Sequence, residues 1–174
     1  MSLNTQIIGK TMPHGFAGTY ARQPDMIVNT RPVGGTESIP FGTALKYDNG
    51  KVIVMGGAGT TAAQFAGIAG SEVKSALVYP DQNGGKYAPG EACSVFQRGS
   101  INVLCQRGTP ALGGDVYVRI AKTADYATAL VGGFEAEADE KTAGNSVKLT
   151  NCQWGGAADA SGVAELVILT RANA

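Results

Sequence analysis

The sequence predicts a mainly β fold: a compact β-barrel or β-sandwich with an extended N-terminal arm and little helix. Three observations carry this. Glycine is 25 of 174 residues, about twice the usual share of roughly 7%, and follows no fixed period. The apolar residues fall in short runs separated by Gly-rich turns, with no long amphipathic helix between them. One of those turns, Asp48-Asn49-Gly50, carries the Asn-Gly pair that marks a tight hairpin.

Residues 1–38 are polar and broken by Pro13, Pro24 and Pro32, which bar a regular helix. This segment is expected to be an extended arm lying on another surface, with residues 39–174 as the β domain. A strand and loop packed on the same domain is the alternative, and Met26-Ile27-Val28 is a short strand candidate within it. Phe41–Tyr47 and Val52–Met55 are the two arms of the Asn-Gly hairpin. Phe65–Ala69 and Ser75–Tyr79 are short apolar strands. Tyr87–Gln106 reads as a hairpin. With Gly99-Ser100 as a two-residue type II′ loop, Val95 faces Leu104 and Cys93 faces Gln106. With a three-residue loop Arg98-Gly99-Ser100, Cys93 faces Cys105 instead, because a one-residue slip exchanges the faces. The first register is preferred, and with it free thiols. Asp115–Ala121 alternates Val116, Val118 and Ile120 against Tyr117 and Arg119, as a strand with one buried face does. Ala127–Val131 is ambiguous, Asn145–Gln153 alternates, and Val163–Thr170 closes the chain as a nearly unbroken apolar strand.

Composition narrows the function classes. Hydrophobic residues are 44% and charged residues only 16%, against about 25% charged in a typical globular domain. A chain this poor in surface charge suits an assembly subunit whose surface is covered by copies or a partner. Net charge is zero, and no basic run offers phosphate neutralisation, which argues against nucleic acid. Cys93, Cys105 and Cys152 are odd in number and lack motif spacing, against both a disulfide framework and a zinc site. No apolar run reaches the ~18–20 residues of a membrane span, and the first residues lack a signal-peptide core. The expectation is synthesis and folding in a reducing cytoplasm.

Candidate chemistry is sparse. Val52–Ala63 reads strand, then Gly57-x-Gly59-x-x-Ala62, which resembles a dinucleotide fingerprint. Glu72 lies too close downstream, and alternating strands and helices are missing. A Gly-rich loop between two strands is the expected reading. His14 sits beside Pro13 in broken backbone, a poor place for a triad or catalytic zinc histidine. Glu135, Glu137, Asp139 and Glu140 alternate with alanine after Gly132-Gly133 and read as a solvated loop. Trp154 is either an interface anchor or a core residue. The residues make no case for an enzyme and call for no cofactor or metal.

A set of ordered motifs carries a family resemblance. Gly15-Phe16-Ala17-Gly18 is followed by Ile39-Pro40-Phe41-Gly42-Thr43-Ala44 and Phe65-Ala66-Gly67-Ile68-Ala69. Then come Tyr87-Ala88-Pro89-Gly90-Glu91 with Ser94-Val95, Gly99-Ser100-Ile101-Asn102-Val103, and Gly113-Gly114-Asp115-Val116-Tyr117-Val118. Over residues 15–120, and again at Gly162–Leu169, the chain resembles the structural cement (decoration) proteins of tailed bacteriophage capsids. The sequence departs from them at Gly56–Ala63 and Glu135–Lys141. The resemblance implies a non-enzymatic, β-rich subunit, made in the bacterial host cytoplasm and bound to the exterior of the expanded head. It would bridge neighbouring major capsid proteins as a homo-oligomer, with a trimer ahead of a dimer. Phe16, Tyr20, Arg22, Met26 and Arg31 of the arm are the expected capsid-interface residues. The competing reading is a β-barrel module of a phage particle that binds a ligand or glycan, with Tyr79, Tyr87 and Trp154 as scattered aromatic platforms.

Overall fold

The computed structural model describes residues 13–72, 84–139, 142 and 144–171, apart from the side chains of Pro24 and Asp125. The strands are β1 (Tyr20–Pro32), β2 (Ile39–Pro40), β3 (Ala44–Asp48), β4 (Lys51–Val54), β5 (Phe65–Gly70) and β6 (Lys86–Tyr87). They continue with β7 (Ala92–Leu104), β8 (Val116–Arg119), β9 (Phe134–Glu135), β10 (Ser146–Leu149), β11 (Cys152–Trp154) and β12 (Val163–Ile168). Helix among the described residues is confined to the 3-10 turns Ala62–Gln64 and Ala124–Tyr126. The fold is mainly β, as the glycine-punctuated apolar runs require.

The strands form a seven-stranded sheet in the order β11-β12-β7-β5-β3-β4, with β1 also on β7, a three-stranded sheet β10-β8-β9, and the pair β2-β6. The arrangement is sandwich-like rather than a closed barrel. One face of the large sheet gives Ala44, Ile68, Phe96, Ile101, Val103 and Leu166 to the main core, where they meet Val116, Val118, Phe134 and Leu149 of the small sheet. The other face gives Leu45, Ala69, Cys93 and Val95 to a second cluster, closed by Val33, Ile39 and Tyr87. Successive residues thus go to opposite cores, Ala44 against Leu45 and Ile68 against Ala69, as the two-residue period of a strand dictates.

β7 is the axis of the molecule. Phe96 pairs with Val28 on one edge and Ile68 on the other, and Ile101 pairs with Tyr20 and Leu166. The expected hairpin about Gly99 is therefore not formed: residues 92–104 run straight through as one strand. Gly99 has φ +102, and a Cβ there would collide with the Asp25 carbonyl oxygen of β1. Its irregularity serves a bulge. Cys93 and Val95 face one core, Ile101 and Val103 the other, so the face parity reverses across Gly99. Cys93 and Cys105 stand at opposite ends of this run, and all three cysteines are free thiols.

The Asn49-Gly50 hairpin forms as expected. β3 and β4 pair from Leu45↔Val54 to Asp48↔Lys51, and Asn49 and Gly50 have φ +47 and +77, as a type I′ turn requires. Asn145–Gln153 is not one strand. It breaks at Thr150-Asn151 into β10 and β11, which belong to different sheets. Residues 127–131 are turn and irregular backbone. The expected strand Ser75–Tyr79, the platform residue Tyr79 and Glu140 lie outside the described residues.

Residues 20–32 of the expected arm are extended and lie along β7 of their own chain, the alternative the sequence left open. A polar chain fixes the strand there: Asn29 Nδ2 donates to Gln97 Oε1 at 2.6 Å, and Gln97 Nε2 donates to Tyr47 Oη at 2.7 Å.

Candidate functional site

The N-terminal segment enters the structure through a turn held from several sides. His14 N donates to Asp159 Oδ2 at 2.8 Å, and Asn102 Nδ2 donates to His14 O at 2.8 Å. Gly18 N donates to Asn102 O at 2.8 Å, and Ser71 N donates to Gly18 O at 2.9 Å. Gly18 and Gly42 pass close together at positive φ. A Cβ on Gly18 would lie 2.8 Å from that of Phe41, and one on Gly42 2.8 Å from that of Ala17. Only glycine permits both this backbone conformation and this approach. Thr19 closes the turn, its N and Oγ1 both donating to Phe16 O, at 3.1 and 2.7 Å. The Phe16 side chain is left outside this scaffold, 82% exposed.

The other four expected interface residues divide. Tyr20 stacks on Phe96 at 5.5 Å between ring centroids and donates its hydroxyl to Glu72. Burial, and then the Glu72 carboxylate, push its pKa up. Met26 packs partly buried against the main core. Arg22 is exposed, but its Nε donates to Glu165 Oε1 at 2.7 Å. Burial pushes the Glu165 carboxyl up, while hydrogen bonds from Arg22 and Ser100 hold it below the ordinary range on balance. Arg31 is exposed, with a local bond from Nη1 to Thr30 O. Phe16 and Arg31 thus face outward, while Tyr20, Met26 and Arg22 fasten β1 to the body.

The acidic segment departs from expectation. Glu135 and Asp139 are buried, not solvated, and both bind Arg119, itself fully buried. Arg119 Nε and Nη2 donate to Glu135 Oε1 and Oε2 at 2.5 and 3.0 Å, and Nη1 donates to Asp139 Oδ2 at 3.0 Å. Two guanidiniums lie over the Tyr126 ring, Arg119 at 4.8 Å and Arg107 at 4.7 Å from its centroid. Alternation with alanine did not carry this signal: Glu135, Glu137 and Asp139 share one parity, yet Glu135 and Asp139 are buried against Arg119 of β8. Arg119, expected with Tyr117 on the outward face of its strand, is instead fully buried, because the carboxylates of Glu135 and Asp139 receive its guanidinium. Glu137 remains exposed.

The Gly57-x-Gly59 stretch is a loop between β4 and β5 ending in the 3-10 turn Ala62–Gln64. Lys46 Nζ donates to Gly56 O at 2.7 Å and to Thr60 Oγ1 at 3.2 Å, which closes the loop on β3. It lacks the parallel strand and long helix that hold a pyrophosphate. Trp154 is a fully buried core residue. Among the described residues, no group of three or more His, Cys, Asp or Glu has the geometry to hold a metal ion, and no helix is long and apolar enough to cross a membrane.

Comparison with known proteins adds to this geometry. No curated protein matches the chain. Among solved structures it is similar to a chain of "The capsid of Myoviridae Phage XM1", with a TM-score of 0.66 over 98% of each chain. Identity is 18%, so this likeness shows a shared fold. A family model described as "Structural cement protein (E217 gp24/Pam3 gp6)" matches residues 3–169. With that match spanning nearly all of its 174 residues, the chain belongs to the phage structural cement protein family.

Proposed function

We propose that this chain is a non-enzymatic capsid cement subunit that binds the outside of an expanded phage head and bridges neighbouring major capsid proteins. It would be made in the host cytoplasm and act as a homo-oligomer, a trimer ahead of a dimer. The observation that carries the reading is the family match over residues 3–169. The geometry is in keeping with it. The buried charges Arg119, Glu135 and Asp139 satisfy one another, as structural charges do. Segment 1–38 is the proposed contact arm, with Phe16 outward on the turn that precedes β1 and Arg31 outward on β1 itself. Such a surface resists internal pressure by spreading many modest contacts over several partners, so that dissociation becomes slow.

The test is co-sedimentation with expanded and unexpanded shells of the cognate phage. Saturable binding to expanded shells alone, at a fixed copy number per capsid subunit, is the expected result. Absence of binding to both forms would refute the cement role for this chain.

A further inference from the structure

β1 consists of two differently held pieces. From Val28 to Pro32 its residues pair one for one with Phe96 to Ala92 of β7. Before Val28 only Ile27, Arg22 and Tyr20 have partners on β7, and the register shifts between each of them. Residues 23–26 stand opposite Gly99 alone. Met26 packs against the main core, which leaves residues 23–25 as a joint. The Asp25–Arg98 ion pair there, at 3.2 Å, is exposed on both sides and adds little stiffness.

Residues 14–22, before the joint, are held by carboxylates from three separate segments. His14 N donates to Asp159 Oδ2 at 2.8 Å, in the loop between β11 and β12. Tyr20 Oη donates to Glu72, just beyond β5. Arg22 Nε donates to Glu165 Oε1 at 2.7 Å, on β12. After the joint the side-chain bond to the body is uncharged, from Asn29 Nδ2 to Gln97 Oε1.

The floor that residues 14–22 bind is polar. Asn102 Nδ2 donates to His14 O at 2.8 Å and to Thr19 Oγ1 at 3.1 Å. Ser100 bonds Glu165, and Ser100, Asn102 and Glu165 are all buried. Tyr20 alone among residues 14–22 packs against the main core. A cover over an apolar floor is fixed by the cost of wetting that floor. Polar groups beneath a cover exchange its bonds for bonds to water when it lifts, at a small net cost. Bonds to charged groups are the stronger ones, so the carboxylates decide whether this cover stays down.

We infer that residues 14–22 are a strap that lifts from β7 and β12 as a unit about the joint at 23–25, held down by the charges of Asp159, Glu165 and Glu72. The remainder of β1 stays in the sheet when the strap lifts. The device is a property of the free chain and does not depend on the cement reading. Acid opens it. Asp159 faces the His14 ring and the backbone N of His14, Ser161 and Val163; Glu165 faces Arg22, Ser100 and His14; Glu72 faces Tyr20 and Tyr87. The bonds received by Asp159 and Glu165 hold both carboxyls below the ordinary range. The strap is therefore held above that range and freed as pH falls through the folded values.

The test is hydrogen exchange followed by mass spectrometry on the full chain at neutral pH. Wild type is compared with the double variant Asp159→Asn, Glu165→Gln, and with Arg22→Gln, whose side chain is 73% exposed and outside the core. Amides of residues 14–22 should exchange at least about tenfold faster in the double variant. Arg22→Gln should move them in the same direction by less, while residues 27–31 and Val163–Ile168 keep wild-type rates in both. Wild type taken from pH 7 to about 4, with rates corrected for intrinsic exchange, should lose protection over 14–22 before 27–31. Unchanged exchange over 14–22 in the variants would overturn the carboxylate fastening. Equal acceleration over 14–22 and 27–31 would show β1 moving as one piece and overturn the joint. Should the double variant not fold, Arg22→Gln and the wild-type acid series decide by the same two criteria.

Discussion

Replacement of Arg119 by methionine should be among the most destabilising single changes available to this protein. Arg119 makes two bonds to Glu135, at 2.5 and 3.0 Å, and one to Asp139 at 3.0 Å. The three side chains are at most 1% exposed. Methionine fills much of the same volume but leaves two carboxylates buried without their cation. Breaking one partner out of a buried ion cluster costs about 3–5 kcal/mol, a large part of the roughly 5–15 kcal/mol that holds a typical domain together. With a urea m-value of about 2 kcal/mol/M, the unfolding midpoint should fall by about 1.5–2.5 M. Arg119→Lys should lie between wild type and Arg119→Met, because an ammonium keeps the charge but cannot fork onto Glu135 while reaching Asp139. Tyr126→Leu should cost less, about 1 kcal/mol, through the two cation–π contacts. Urea melts followed by tryptophan fluorescence are suited to this, with Trp154 buried in the main core. An Arg119→Met loss below about 1 kcal/mol, outside the range for a buried pair, would refute the reasoning: water would then be reaching the carboxylates.

Gly99→Ala should destabilise the molecule by at least about 1–3 kcal/mol, the cost of a strained backbone, because φ is +102 and the new methyl meets the Asp25 carbonyl. Amide exchange should quicken over Met26–Arg31 first, and uniform exchange would argue against a local clash. Glu165 gives a pH dependence. Its folded pKa lies below its unfolded value, because the Arg22 and Ser100 bonds outweigh its burial. Its contribution is therefore complete above the ordinary carboxylate range and is lost as pH falls through the folded value. Stability should decline on acidification, and Glu165→Gln should flatten that decline in a melting series. Three thiols should titrate in denaturant without reductant. In the native state Cys105, half-buried, should react first, since burial pushes Cys93 up to about 12 and raises Cys152 as well; prompt labelling of Cys93 would contradict the described core.

Local chemistry was readable wherever neighbours in sequence determine it. The Asn49-Gly50 turn forms where its sequence places it, because the φ > 0 preference of Asn-Gly acts over four residues. Val116 and Val118 face the core because alternation is a property of one strand. The Gly57 stretch stays a loop because its flanks lack a helix. Family membership was legible too, through the order of Gly-rich and aromatic motifs from Gly15 to Val118.

What only the tertiary structure decided concerns partners distant in sequence. Gly99 announced an irregular residue, but a turn and a bulge both require one. The choice fell to β1, β5 and β12, which pair along β7 and carry the chain straight through. Glu135 and Asp139 looked like solvated acids because the sequence does not display Arg119 as their neighbour. Once the β8–β9 pairing brings that guanidinium between them, burial becomes tolerable. Short-range backbone preferences belong to the sequence, whereas strand pairing and the burial of charge are set by which distant segments meet.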